Sequence, residues 1–194
     1  MREALQLLGE DGMVERRQGH GCKVIADHER PVYAPSLTSL SEFHDCANDT
    51  RLVIDRVLRI VPDDQLAMRL SRLPGREWLP AEGIRTGSED SSTCVAHVFI
   101  HQDFASIGPE LASHSVAIHR LIKERFGVQA HEVHQQVTAE RLDAGKAARL
   151  GEPEGCDAIL VKRRYLAPDS WPMSVSFNWH WLAGFACSQV IRGV

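Results

Sequence analysis

The chain has 194 residues, 43% of them hydrophobic and 25% charged, and its formal net charge is −4. That composition excludes a wholly disordered chain and a uniformly basic nucleic-acid coat, while leaving room for a local basic element. No apolar run reaches the roughly 18 residues that a bilayer span requires, and no signal peptide is read at the start. The five cysteines, Cys22, Cys46, Cys94, Cys156 and Cys187, are odd in number and widely spaced, with no C-x-x-C. They are expected to be small, mostly buried residues of a reduced cytoplasmic protein, not a disulfide framework or a zinc site.

In chain order, Met1 to Leu8 has helical periodicity, with Ala4, Leu5 and Leu8 on one stripe. No capping residue precedes it, which suggests a helix that begins before the first residue. Gly12 stands where a left-handed cap would end it. Met13 to Gln18, Gly19-His20-Gly21 and Cys22 to Ile25 read as strand, turn and strand. Arg16, Arg17, His20 and Lys23 make the tip of this hairpin basic. An amphipathic helix followed by a basic two-stranded ribbon is the layout of a winged helix-turn-helix. A solvated surface hairpin fits the same spacing.

Residues 26–50 are polar and carry Pro31 and Pro35, as a linker does. A second unit follows. Leu52 to Val61 is strand-like and rich in β-branched residues. Asp64 to Leu73 reads as a helix closed by Pro74-Gly75, and Glu77 to Thr86 as a strand despite Pro80. Thr93 to Gln102 alternates, with Val95, His97, Phe99 and His101 on one side and Cys94, Ala96, Val98 and Ile100 on the other. Helices are expected over Ser113–Phe126 and Arg141–Leu150, stopped by Gly127 and by Gly151-Glu152-Pro153. Strands are expected over His131–Glu140, Ala158–Ala167 and Met173–Trp181, the last two joined by the turn Pro168 to Pro172. Strands outnumber helices and hairpins recur, so the fold class is α+β with a mainly antiparallel sheet and flanking helices.

Two stretches together resemble a known family. The run Arg2-Glu3-Ala4-Leu5, then Leu8, then Gly12-Met13-Val14-Glu15-Arg16-Arg17-Gln18-Gly19-His20-Gly21, is similar to the end of the GntR-type DNA-binding domain. There a recognition helix runs into a wing of the form G-L-V-x-R-x-x-G-x-G. The later part resembles the UTRA domain, the effector-sensing half of the HutC-type branch, whose fold is chorismate-lyase-like. That likeness rests on Ala147-Ala148-Arg149-Leu150-Gly151, on the strand ending Val161 to Tyr165, on Pro172 leading into Ser174–Trp181, and on Ser115 to Val128 before Val137-Thr138-Ala139. One departure stands out. The family's Arg-Gly-Asp-Arg-Tyr-like run near the end is Trp181-Leu182-Ala183-Gly184-Phe185 here, so the effector contact made from it does not carry over.

The resemblance implies three parts: a partial winged helix-turn-helix at 1–27, truncated at its N-terminus, a linker at 28–50, and a UTRA domain at 51–194. It implies that Arg2 faces the major groove, where an arginine takes guanine bidentately. Gly19, His20 and Gly21 form the wing tip, and Arg16, Arg17 and Lys23 supply charge to phosphates. For the effector it implies a pocket between sheet and helices for a small polar or anionic metabolite. Arg85 matches the family's pocket arginine, and His97 stands where relatives often carry a glutamate. Arg164, Ser174, Ser176 and His180 are candidates for lining the same cavity. A surface arginine, a strand-edge serine and a satisfied core histidine are the plain alternatives at these positions.

No catalytic site, cofactor or metal is expected. His97 and His101 would stand about 13 Å apart along a strand, too far to share one ion. No H-E-x-x-H, P-loop or G-x-S-x-G occurs. Trp171, Phe177, Trp179, Trp181 and Phe185 read as core or dimer-interface packing. The expected function is a ligand-responsive transcriptional regulator, a homodimeric repressor binding a DNA operator and a small-molecule effector. The alternative is a stand-alone small-molecule binding module or lyase-like enzyme with no DNA function.

Overall fold

The computed structural model describes residues 14–17, 21–24, 51–70, 76–86, 92–111, 118–182, 185 and 187. Two units separate along the chain, Met1–Pro31 and Val32–Val194. The first contains an antiparallel hairpin of β1 (Val14–Arg17) and β2 (Gly21–Val24), with Arg17 opposite Gly21, Arg16 opposite Cys22 and Glu15 opposite Lys23. The helix expected over residues 1–8, the linker and residues 113–117 of the helix expected over Ser113–Phe126 lie outside the described residues.

The second unit is a six-stranded, fully antiparallel sheet. Its strands are β3 (Arg51–Val57), β4 (Trp78–Thr86), β5 (Ser92–His101), β6 (Glu132–Arg141), β7 (Asp157–Leu166) and β8 (Pro172–Trp181). Their order across the sheet is β3-β4-β5-β8-β7-β6. The α+β class and mainly antiparallel sheet read from the sequence are what the chain adopts. The middle pair of the sheet, β5 and β8, are the third and the sixth of these strands in chain order.

Helices cover both faces. Helices α1 (Asp64–Leu70) and α4 (Ala144–Leu150) pack on one face. A 3-10 turn (Gln102–Ile107), α2 (Gly108–Leu111) and α3 (Ile118–Phe126) pack on the other. The 3-10 turn and α2 were not expected from the sequence. Helix α4 starts at the Asp143 cap, whose carboxylate accepts from the Lys146 backbone N–H at 2.9 Å. It ends at Gly151, whose φ of 73° suits glycine at a left-handed cap.

Pro80 sits inside β4 at the cost of one donor. The Leu58 N–H still donates to the Pro80 carbonyl at 2.9 Å, and the Ile60–Trp78 bridge restores mutual bonding two residues on. Facing residues of neighbouring strands share a face of the sheet. On the α3 face lie Leu79, Ala81, Ala96, Val98 and Ile100, closed by Phe104, Ile107, Leu111, Ile118, Leu121 and Ile122. On the α1/α4 face lie Val95, Phe99, Leu160, Val175, Phe177 and Trp179, closed by Leu70, Leu142 and Ala147. Each Val, Leu, Ile or Phe among them contributes about 1.5–3 kcal/mol when fully buried, and the two clusters hold the sheet between its helices.

Candidate functional site

The α3 face contains a polar strip inside an otherwise apolar layer. It runs along β8, where Ser174, Ser176, Asn178 and His180 are all buried while Val175, Phe177 and Trp179 go to the opposite core. Register extends it sideways. Ser174 faces Tyr165, Ser176 faces Arg163, and Arg163 faces Gln135. At one end, Arg85, Cys94, His180 and Ile159 stand in a single row across four strands.

Specific bonds order this strip. The Asn178 side-chain N–H donates to the Ser176 hydroxyl oxygen at 3.1 Å and to the Val161 carbonyl at 3.3 Å. The Arg163 Nε donates to Gln135 at 2.8 Å. Tyr165 stacks on His119 of α3, with centroids 5.6 Å apart at 15°. The His180 ring lies 5.2 Å from Phe185, which follows the last strand. Four successive inward positions of a central strand are polar, where packing alone would use Val or Ile. Burying such groups is costly unless they are hydrogen-bonded, so the strip suits a polar guest.

Of the effector residues expected from the sequence, Arg85, Ser174, Ser176 and His180 share this face. His97 and Arg164 do not: their register puts them on the α1/α4 face. His97 faces Glu82 and Phe177, and its ring meets Trp179 edge-on at 4.9 Å. Burial chiefly, then Lys146 and Arg149 of α4, lower its pKa below 6.5 against the opposing pull of Glu82. Arg164 Nη2 reaches His134 Nδ1 at 2.9 Å. The strip also contains Arg163, Asn178, Gln135 and Tyr165, which the sequence reading passed over. The signal for Asn178 was available in the alternation Ser-Val-Ser-Phe-Asn-Trp-His over 174–180.

Of the DNA-contact candidates, Arg16, Arg17, Gly21 and Lys23 are on the hairpin, and the other three, Arg2, Gly19 and His20, lie outside the described residues. Among the described residues, no helix is long and apolar enough to cross a membrane. No group of three or more His, Cys, Asp or Glu side chains converges there as a metal site would.

No family model matches the chain, and no curated protein does. Solved structures do. PhnF from Mycobacterium smegmatis aligns with 100% of this chain and 84% of its own, at a TM-score of 0.71 and 19% identity. The possible transcriptional regulator YydK from Bacillus subtilis aligns with 100% of this chain and 82% of its own, at 0.65 and 16%. The ligand-binding domain of a candidate GntR-family transcriptional regulator from Bordetella bronchiseptica aligns over 69% of this chain and 83% of its own, at 0.61 and 16%. At these identities the likeness is one of fold: the six-stranded sheet with its flanking helices is the architecture of those effector-binding domains.

Proposed function

We propose that this chain is a ligand-responsive transcriptional regulator of the GntR type, HutC branch. In this reading residues 1–27 belong to a winged DNA-binding head, 28–50 form a linker, and 51–194 form a UTRA effector domain. The protein acts as a homodimeric repressor, since a two-fold protein suits a palindromic operator. The effector is a small polar or anionic metabolite held on the α3 face by Arg85, Arg163, Ser174, Ser176 and His180, with Asn178 orienting Ser176. The hairpin carrying Arg16, Arg17, Gly21 and Lys23 is the wing, and Arg2, Gly19 and His20 complete the DNA contact.

The observation that carries this reading is the buried polar strip of β8, inside a fold shared with a ligand-binding domain. A repressor of this kind needs an effector that binds its DNA-free and DNA-bound states unequally. The test is a thermal-shift screen of sugar phosphates and small organic acids against the full chain, since a true effector stabilises by mass action. Hits are then added to an operator titration. A hit whose stabilisation is lost in Arg163→Gln and Arg85→Gln, and which weakens operator binding, supports the reading. Stabilisation unchanged in both variants refutes the site. A hit that leaves operator affinity unchanged refutes the switch.

A further inference from the structure

We propose that the opposite face of the sheet carries a separate anion site, formed by Arg69, Lys162 and Arg164 and suited to the phosphate group of a small phosphorylated molecule. Lys162 and Arg164 are two residues apart on β7, so they share that face about 6.6 Å apart. Arg69, in the last turn of α1, reaches over the same ground. Its Cζ lies 4.9 Å from the Phe177 ring centre, and the Lys162 Nζ lies 5.6 Å from the same centre. Phe177 is buried, so the cations stand around a dry aromatic floor.

The neighbouring charges leave this centre positive. Two carboxylates share the face on β6, one at each end, and both are engaged. Glu140 accepts from Trp179 Nε1 at 2.8 Å and pairs with Arg69 at 3.4 Å. Glu132 meets His134 Nε2 at 2.6 Å. Beyond Phe177 in the same row, Glu82 faces His97 and pairs with Arg56 at 3.8 Å. Arg164 Nη2 meets the His134 ring at Nδ1. No carboxylate among the described residues lies within ion-pair distance of Lys162.

Lys162 and Arg164 are half-buried, while Gln136 and His134 beside them on β6 are exposed, so this part of the face is open to a ligand. Burial, then Arg164 and Arg69, lower the Lys162 pKa below its usual value of 10.5. An incoming dianion relieves that repulsion. Three separated N–H donors match the three terminal oxygens of a phosphate ester better than the two of a carboxylate.

The test is a titration of the full chain with inorganic phosphate, followed by the NMR signal of the Lys162 ammonium. Phosphate is expected to raise the Lys162 pKa, by reciprocity with its own tighter binding to the charged form. Lys162→Gln and Arg164→Gln should each weaken phosphate binding about tenfold or more. Arg120→Gln, on the exposed Arg120–Glu124 pair of α3, should leave it unchanged. A Lys162 signal indifferent to phosphate, or wild-type phosphate affinity in a folded double variant, overturns the site. Phosphate displaced by a non-operator DNA duplex overturns the small-ligand reading and assigns the cations to a nucleic-acid backbone. The site is independent of the α3-face strip, so its failure leaves that strip untested and the reverse also holds.

Discussion

Gly83 is the position where the sheet leaves no room for a side chain. It faces Ile54 in β3 and Ala96 in β5, beside the bulge that shifts the β3–β4 register between Ile54 and Arg56. A Cβ placed on Gly83 would stand 2.2 Å from the Val53 carbonyl oxygen and 2.9 Å from its carbonyl carbon. The obstacle is backbone, so no rotamer relieves it, and β3 has to move away by more than about 1 Å for ordinary contact to return. Leu52 and Ile54, two buried residues of β3, would be carried with it. Gly83→Ala is therefore expected to cost about 1–3 kcal/mol, the range for overpacking a closed core. For a unit of this length that lowers Tm by roughly 2–12 °C. Gly145→Ala supplies the opposite sign in the same assay. Gly145 lies in the first turn of α4, where an added Cβ meets only Asp143 Oδ1 at 3.5 Å, an ordinary contact. Removing a glycine from that turn should stabilise by about 0.4–1 kcal/mol. Urea unfolding of both variants decides the matter. If Gly83→Ala is as stable as wild type, or Gly145→Ala is the more damaging of the two, the steric reasoning fails.

Other outcomes follow from the same contacts. Asp143→Ala removes the α4 cap and should lose about 0.5–2 kcal/mol in urea unfolding at neutral pH, while Asp143→Asn keeps most of it. Hydrogen bonds from Lys146 hold the Asp143 carboxyl below 3.8, so its contribution is present above that value and is lost as pH falls through the lowered one; the acid limb of the stability curve should be shallower in Asp143→Asn. His97 and His101 are both held neutral, chiefly by burial, and their folded pKa values lie below 6.5. Stability should then fall as pH drops below 6.5, where the unfolded chain binds the extra protons, and His97→Phe should flatten that fall in urea midpoints taken across the acid range. Asn178→Val should change unfolding free energy by less than about 1 kcal/mol while abolishing the thermal shift given by an α3-face effector.

Much of the sheet is legible in the sequence because alternation carries it. The β5 split of Val95, His97, Phe99 and His101 from Cys94, Ala96, Val98 and Ile100 is the split the two cores show. Gly127 and Gly151 end their helices with positive φ, as the sequence suggests. The 3-10 turn and α2 are less visible, because Gly108-Pro109 interrupts the short apolar spacing of Phe104, Ile107 and Leu111. What holds that stretch down is the packing of Phe104, Ile107 and Leu111 under α3, a tertiary effect. The site was half legible for a related reason. Which residues of a strand face a pocket follows from its period, but which of the two faces holds the pocket follows from register with its neighbours. Arg163 and Arg164 are adjacent in sequence and belong to opposite faces, and only the pairing of Arg163 with Ser176 shows which one joins the serines.

That pairing also bears on the composition of β8. In the row that crosses the sheet through Gly83, Ala96, Asn178, Val161 and Val137, every other position is small or apolar. A valine at 178 would continue the row and would need no hydrogen-bond partner. Asn178 instead orders Ser176 and occupies the Val161 carbonyl. A buried amide at such a position breaks the local rule that a central strand fills its core face with β-branched residues. Stability does not require that exception, since an apolar residue of similar size satisfies the same layer. The effector site proposed above gives it a use, because a hydroxyl held by a fixed amide presents its own proton in one direction. If Asn178→Val keeps both its fold and its full response to an effector, the amide serves packing alone, and the case for a binding strip on this face loses its main structural support.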